Sequence, residues 1–206
     1  GSSATISGAP TPTLSISNLT KVDATNYMLT VTGGAGSTNA VVSLSVLPAA
    51  ILVSSGTTYT QTFDSLATSG TTPWNDGGTL QGWYASTNSN GNPVLGYRGD
   101  SGTGNAGALY SYGTNGVNPA SDRALGSIGS GAASTLAYGF LLINDSATQV
   151  VTNIVLGYTG EQWRNGANGR TNILTFSYRK SFSPINGSDS GNSFIWTPLP
   201  VLNFIT

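Results

Sequence analysis

The stretch Tyr27-Met28-Leu29-Thr30-Val31-Thr32-Gly33-Gly34-Ala35-Gly36-Ser37-Thr38-Asn39-Ala40-Val41-Val42-Ser43-Leu44-Ser45-Val46 decides the fold class. Tyr27, Leu29 and Val31 alternate with Met28 and Thr30, and Val42, Leu44 and Val46 alternate with two serines. A period of two puts one set of side chains on one face, the pattern of a half-buried strand. Leu14 and Ile16 between serines repeat it. Elsewhere Gly or Pro interrupts nearly every window long enough for a helix. Further strands are expected at 59–63, 80–84, 94–97, 108–112, 138–143, 150–158, 173–178 and 201–205. Turn-rich stretches at 88–92, 99–107 and 165–170 separate them. Many short strands of this kind predict an all-β chain, and an antiparallel β-sandwich is their natural solution.

Composition narrows the function. The chain has 206 residues, 7% of them charged, with a net charge of −1. An average soluble protein is roughly 25% charged. Ser, Thr, Asn and Gly make up roughly half the chain, yet 38% is hydrophobic, enough for a core. The seven Lys and Arg form no basic stripe, which argues against nucleic acid as a partner. The longest apolar stretch, 47–53, is far too short for membrane insertion. With no Cys and no His, thiol nucleophiles, Ser-His triads and the usual zinc sites are excluded. Low charge with abundant Thr, Ser, Gly and Asn suggests a secreted, extracellular protein of the cell surface.

The useful boundary falls near 47–53. Residues 1–47 hold three regular strands, too few to bury a stable core alone. Residues 48–206 are long enough for a complete sandwich.

Two resemblances sharpen this. The run Thr13-Leu14-Ser15-Ile16-Ser17-Asn18-Leu19, followed by Asp23-Ala24-Thr25-Asn26-Tyr27, resembles the E–F region of an immunoglobulin-like domain. The resemblance implies a tyrosine corner in which the Tyr27 hydroxyl returns to upstream backbone, with Asp23 fixing the turn. Leu29 stands where such domains usually carry Cys, as in bacterial Ig-like modules that replace the disulfide with packing. Only the later half of the domain is matched, so 1–47 reads as a partial Ig-like segment.

The pieces Thr62-Phe63-Asp64-Ser65-Leu66, Leu80-Gln81-Gly82-Trp83-Tyr84-Ala85, Gly107-Ala108-Leu109-Tyr110-Ser111-Tyr112-Gly113, Asp122-Arg123-Ala124-Leu125-Gly126-Ser127 and Tyr158-Thr159-Gly160-Glu161-Gln162-Trp163-Arg164 make up the second resemblance. They resemble a jelly-roll- or lectin-like β-sandwich module of large secreted or surface proteins of environmental bacteria. The chain starts partway through one sandwich and stops inside what looks like strand. Either the chain is a fragment of a longer protein, or its open edges and uncovered apolar faces are completed by a neighbouring copy, as in donor-strand complementation, and the second is the favoured expectation. Because donor and acceptor differ, such a contact propagates into a filament.

The expected function is therefore a noncatalytic structural or adhesive protein: a homopolymer subunit joined by inter-chain strands, with 1–47 and the strand at 201–205 as contact elements. The alternative is a carbohydrate-binding module of a larger secreted bacterial protein. Glycan binding needs flat aromatic faces beside polar side chains, and Trp74, Asn75 and Asp76 in the loop Pro73-Trp74-Asn75-Asp76-Gly77-Gly78 are the exposed candidates. Glycosidase chemistry needs two facing carboxylates. Glu161 is the only Glu, and it reads instead as a structural partner of Arg164 or Arg123, with Trp163 as a packing anchor. No cofactor is expected. A structural Ca²⁺ remains open, since Asp76, Asp100, Asp122 and Asp145 lie in loops, but no D-x-D-x-D-G array supplies the oxygen cage. Arg98-Gly99-Asp100 spells a cell-attachment tripeptide and reads as an accident of composition.

Overall fold

The computed structural model describes residues 5–7, 15–17, 19, 23, 25–34, 36–44, 49–87, 92–114, 122–131, 133–146, 148–166, 169, 171–182 and 196–206. The fold is all-β: among the described residues there is no α-helix, only short 3₁₀ geometry. The chain divides into two compact units, Gly1–Pro48 and Ala49–Thr206.

In the first unit, β1 (Thr5–Ser7) pairs antiparallel with β2 (Ser15–Ser17). The long elements are β3 (Asn26–Gly33) and β4 (Gly36–Ser43), an antiparallel hairpin with Gly33 opposite Gly36. The register sets Tyr27 opposite Val42, Leu29 opposite Ala40 and Val31 opposite Thr38. These six therefore share one face, as period-two alternation requires. The other face carries the pair Met28 and Val41. The expected half-burial does not follow, because Leu29 is 63% exposed and Val42 65%, and Met28, Val31 and Val41 are exposed too. A two-stranded ribbon has no second layer of its own to cover either face.

The second unit holds β5 (Ile51–Val53), β6 (Gly70–Pro73), β7 (Trp83–Thr87), β8 (Asn92–Pro93), β9 (Gly96–Asp100), β10 (Ala108–Tyr112), β11 (Ala124–Ile128), β12 (Leu136–Phe140) and β13 (Leu142–Asn144). Four short strands follow: β14 (Ile173–Leu174), β15 (Ser177–Tyr178), β16 (Thr197–Pro198) and β17 (Phe204–Ile205). A mixed sheet runs β11-β10-β9-β6, parallel only between β10 and β9. An antiparallel sheet runs β12-β7-β8. β13 pairs parallel with β5, and β14 with β17 and β15 with β16 pair antiparallel.

The core joins strand side chains, Ile51, Trp83, Ala85, Tyr97, Leu109 and Leu125, with Leu66, Trp74, Leu80 and Val94 from the connections between strands. Its aromatic centre is Trp83, edge-on to Phe63 at 5.0 Å and tilted against Phe140 at 5.1 Å. The Trp83 indole N–H donates to the Tyr59 hydroxyl, 2.9 Å, so the polar handle of a buried ring is satisfied.

Among the strands expected after residue 48, the expectation holds fully at 108–112, in part at 80–84, 94–97, 138–143, 173–178 and 201–205, and fails at 59–63 and 150–158. Residues 59–63 form no strand, since Phe63 has a left-handed φ of 62° that breaks extended geometry. The expected strand at 138–143 is two strands. At Leu141 the chain changes partner: its N–H donates to Gly82 and its carbonyl accepts from Ile51. β6 and β11 were not foreseen. They are the edges of the mixed sheet, and an edge tolerates Pro73, which lacks a donor. The expected terminal strand at 201–205 begins as a 3₁₀ turn, Pro200–Leu202, and only Phe204–Ile205 is strand, already paired with β14. Residues 150–158 carry no strand.

Candidate functional site

Three local constructions position the polar and aromatic side chains of the second unit. The first is at the end of β9. The Asp100 Oδ1 accepts from the backbone N–H of Gly102 at 2.7 Å, Thr103 at 2.7 Å and Gly104 at 3.1 Å. An Asp ahead of a Gly-rich loop favours such turns. Burial acts to raise the Asp100 pKa, but the Gly104, Gly102 and Thr103 N–H donors and the Thr103 hydroxyl outweigh it and hold the carboxyl below its ordinary value. Gly102 takes φ +90°, and a Cβ there would stand 2.1 Å from the Trp163 carbonyl. Only glycine lets the two segments approach so closely.

That approach completes the second construction. The Trp163 ring stacks on Tyr112 at 6.2 Å and 7°, and Tyr112 stacks on Tyr110 at 4.9 Å and 8°. Gly126, opposite Tyr110 in the ladder, leaves room for the Tyr112 ring, which a Cβ would meet at 2.9 Å. The Trp163 indole donates to Glu161 Oε2 at 2.7 Å, and Arg164 Nη1 donates to the Thr103 carbonyl at 3.0 Å. The expected pairing of Glu161 with Arg164 or Arg123 is thus replaced: the carboxylate serves the indole, and Arg164 caps the loop. Burial first, then the neighbouring Tyr110 and Asp100 charges, push the Tyr112 phenol well above its ordinary value. It is neutral at physiological pH and no base.

The third construction is a clasp. Asp64 Oδ1 accepts the backbone N–H of Asp122 and of Arg123, each at 2.9 Å. Asp122 has a left-handed φ of 74°, strained for a non-glycine residue. Arg123 is buried: its Nε donates to the Ser111 hydroxyl at 2.6 Å and its Nη2 to the Ser111 carbonyl at 2.5 Å. Its Nη1 has no partner. The Arg123 N–H, then the Thr62 hydroxyl, hold the Asp64 carboxyl below its ordinary value. A carboxyl depressed on folding contributes stability above its unfolded pKa, and that contribution is lost as pH falls through the folded value. Thermal unfolding between pH 2 and 7 will therefore show an acid loss of stability below about pH 4, reduced in Asp64→Asn and in Asp100→Asn. An unchanged acid slope in both variants would show that these carboxylates do not carry it.

The expected exposure of Trp74 is not found. Trp74 is 4% exposed and packs edge-on against Tyr97 at 6.0 Å. Its indole donates to Asp76 Oδ1 at 2.9 Å, and the same oxygen accepts the Ala85 N–H at 2.9 Å. The Asn75 N–H donates to the Thr79 hydroxyl at 2.8 Å. The Asp76 carboxylate holds the indole N–H of a buried ring, so Trp74 presents no exposed face, while Asn75 and Asp76 stay exposed on the turn above it.

In the first unit the Tyr27 hydroxyl donates to the Asp23 carbonyl at 3.1 Å, and Asp23 is buried. The cell-attachment tripeptide lies within β9, where a Cβ on Gly99 would stand 2.3 Å from the Ser69 backbone nitrogen and Asp100 is engaged in its turn. Among the described residues no three acidic side chains converge to hold a metal ion, and no helix is long and apolar enough to cross a membrane. Sequence reasoning assigned no role to Asp64 and left Asp100 among loop acids. The Gly-rich loop after Asp100 was the available signal; Asp64 offered none, because its partners lie 58 and 59 residues away.

No protein-family model matches the chain, and comparison with curated proteins and with solved structures gives no match.

Proposed function

We propose that the chain is a noncatalytic extracellular subunit of a bacterial surface filament or matrix, with an Ig-like β-segment followed by a jelly-roll- or lectin-like β-sandwich, joined to copies of itself by inter-chain strand complementation. The observation that carries this reading is the β3–β4 hairpin. It leaves Met28, Leu29, Val31, Val41 and Val42 exposed across both faces, and among the described residues no strand pairs with the outer edge of either strand. Covering one such side chain fully is worth about 1.5–3 kcal/mol. No charged residue lies between Asp23 and Asp64 to oppose it. The hydroxyl-to-carbonyl bond from Tyr27 to Asp23 supports the Ig-like part of the reading, since it is the bond a tyrosine corner makes.

Electron microscopy of native, untagged protein, with its size distribution, tests the proposal. Filaments with a regular repeat are the expected result, and Leu29→Lys with Val42→Lys on the shared face should reduce polymer at least tenfold while leaving circular dichroism unchanged. A wild-type protein that stays monomeric at every concentration would sink it.

A further inference from the structure

Residues 150–157, Val-Val-Thr-Asn-Ile-Val-Leu-Gly, are rich in the β-branched side chains that favour strands. Yet they belong to no ladder. Among the described residues, none of the eight takes part in a backbone–backbone hydrogen bond. The segment is nonetheless held at both ends. On one side the Asp145 N–H donates to Val53 at 2.8 Å and the Asn144 side-chain amide to the Gln149 carbonyl at 2.8 Å. On the other, the Tyr158 hydroxyl donates to the Leu202 carbonyl and the Gln162 side-chain amide to the Thr206 hydroxyl. Between these anchors Val150 is 79% exposed, Ile154 61% and Val155 90%. Natural sheet edges are guarded by charge or proline. From Ser146 to Gly160 there is neither.

An anchored, exposed run of unpaired donors and acceptors is a template to which another strand can add, its main chain replacing water at these groups. The chain itself carries a strand of matching kind. β3 and β4 are each eight residues long, uncharged, apolar on one face and, among the described residues, paired along one edge only. Eight residues span about 27 Å in either partner. We infer that residues 150–157 of one copy add as a strand to the open edge of the β3–β4 hairpin of a second copy. A charged partner is disfavoured, because neither surface offers a counter-charge, and every copy brings both halves of the contact. Such a heterologous contact repeats from copy to copy. The inference rests on the self-assembly proposed above and moves its second contact element from 201–205 to 150–157.

Hydrogen exchange on the full chain tests it, comparing dilute subunits with assembled protein. Amides of 151–157 and of one strand of the hairpin should exchange at least tenfold more slowly in the assembly. Val155→Pro, which removes an N–H that has no partner among the described residues, should cut polymer yield at least tenfold with unchanged circular dichroism. Val155→Lys keeps the N–H and supplies the same test if the proline variant misfolds. Assemblies with 150–157 unprotected, or wild-type polymer yields in both variants, overturn this inference and leave self-assembly standing. Protection of 150–157 without the hairpin, in a closed dimer or with another protein, overturns it as well. A wild-type chain that never assembles overturns both.

Discussion

Trp74→Ala lowers the stability of the second unit by about 3–5 kcal/mol, the cost of truncating a buried indole. The ring is 4% exposed, packs against Tyr97 and gives its N–H to Asp76. Truncation opens a cavity beside Tyr97 and removes one of the two donors that hold the Asp76 carboxylate, leaving the Ala85 N–H. Urea denaturation reads the effect as a lower midpoint. A sugar platform would behave differently: exposed substitutions usually stay within about 0.5 kcal/mol, and binding would disappear while stability held. A variant of wild-type stability that loses glycan binding would refute the burial described here and favour the carbohydrate-binding reading.

Ser111→Ala costs about 2–3 kcal/mol, although it removes one oxygen atom. That hydroxyl is the acceptor for the Arg123 Nε, in a residue that is 3% exposed and already has Nη1 unpartnered. Stranding a second donor of a buried cation costs more than losing a neutral hydrogen bond. Arg123→Met in the Ser111→Ala background should recover part of the loss, because it removes the charge that the missing hydroxyl left unsolvated. Equal stability of Ser111→Ala and wild type in chemical denaturation would show that the cation finds another acceptor.

The legible parts of the sequence were those whose signal is local. Alternation at Tyr27, Leu29 and Val31 placed their shared face correctly, because side-chain direction in a strand depends only on neighbours along the chain. The run from Ala108 to Tyr112 was equally clear. Gly70-Thr71-Thr72-Pro73 has no apolar alternation, so β6 emerges only from its pairing with β9. Trp74 was misread because Asn, Asp and two glycines around it signal a surface turn; one carboxylate bridging that turn to Ala85 reverses the outcome. The exposure of Leu29 and Val42 was illegible for a related reason. Alternation says that two side chains share a face, and nothing about whether a second layer covers it.

β5 joins β13 across about 90 residues of chain. Closing a flexible loop of that length costs about 4 kcal/mol in entropy before the new contacts return anything. Contacts so remote in sequence slow folding, whereas the β3–β4 hairpin closes over a turn of two residues and hairpins form in microseconds. The uncharged ribbon can thus form, at marginal stability, while the larger unit is still searching for its own closure. The apolar side chains of the ribbon, Leu29 and Val42 among them, therefore stand open to solvent before the larger unit has buried its own.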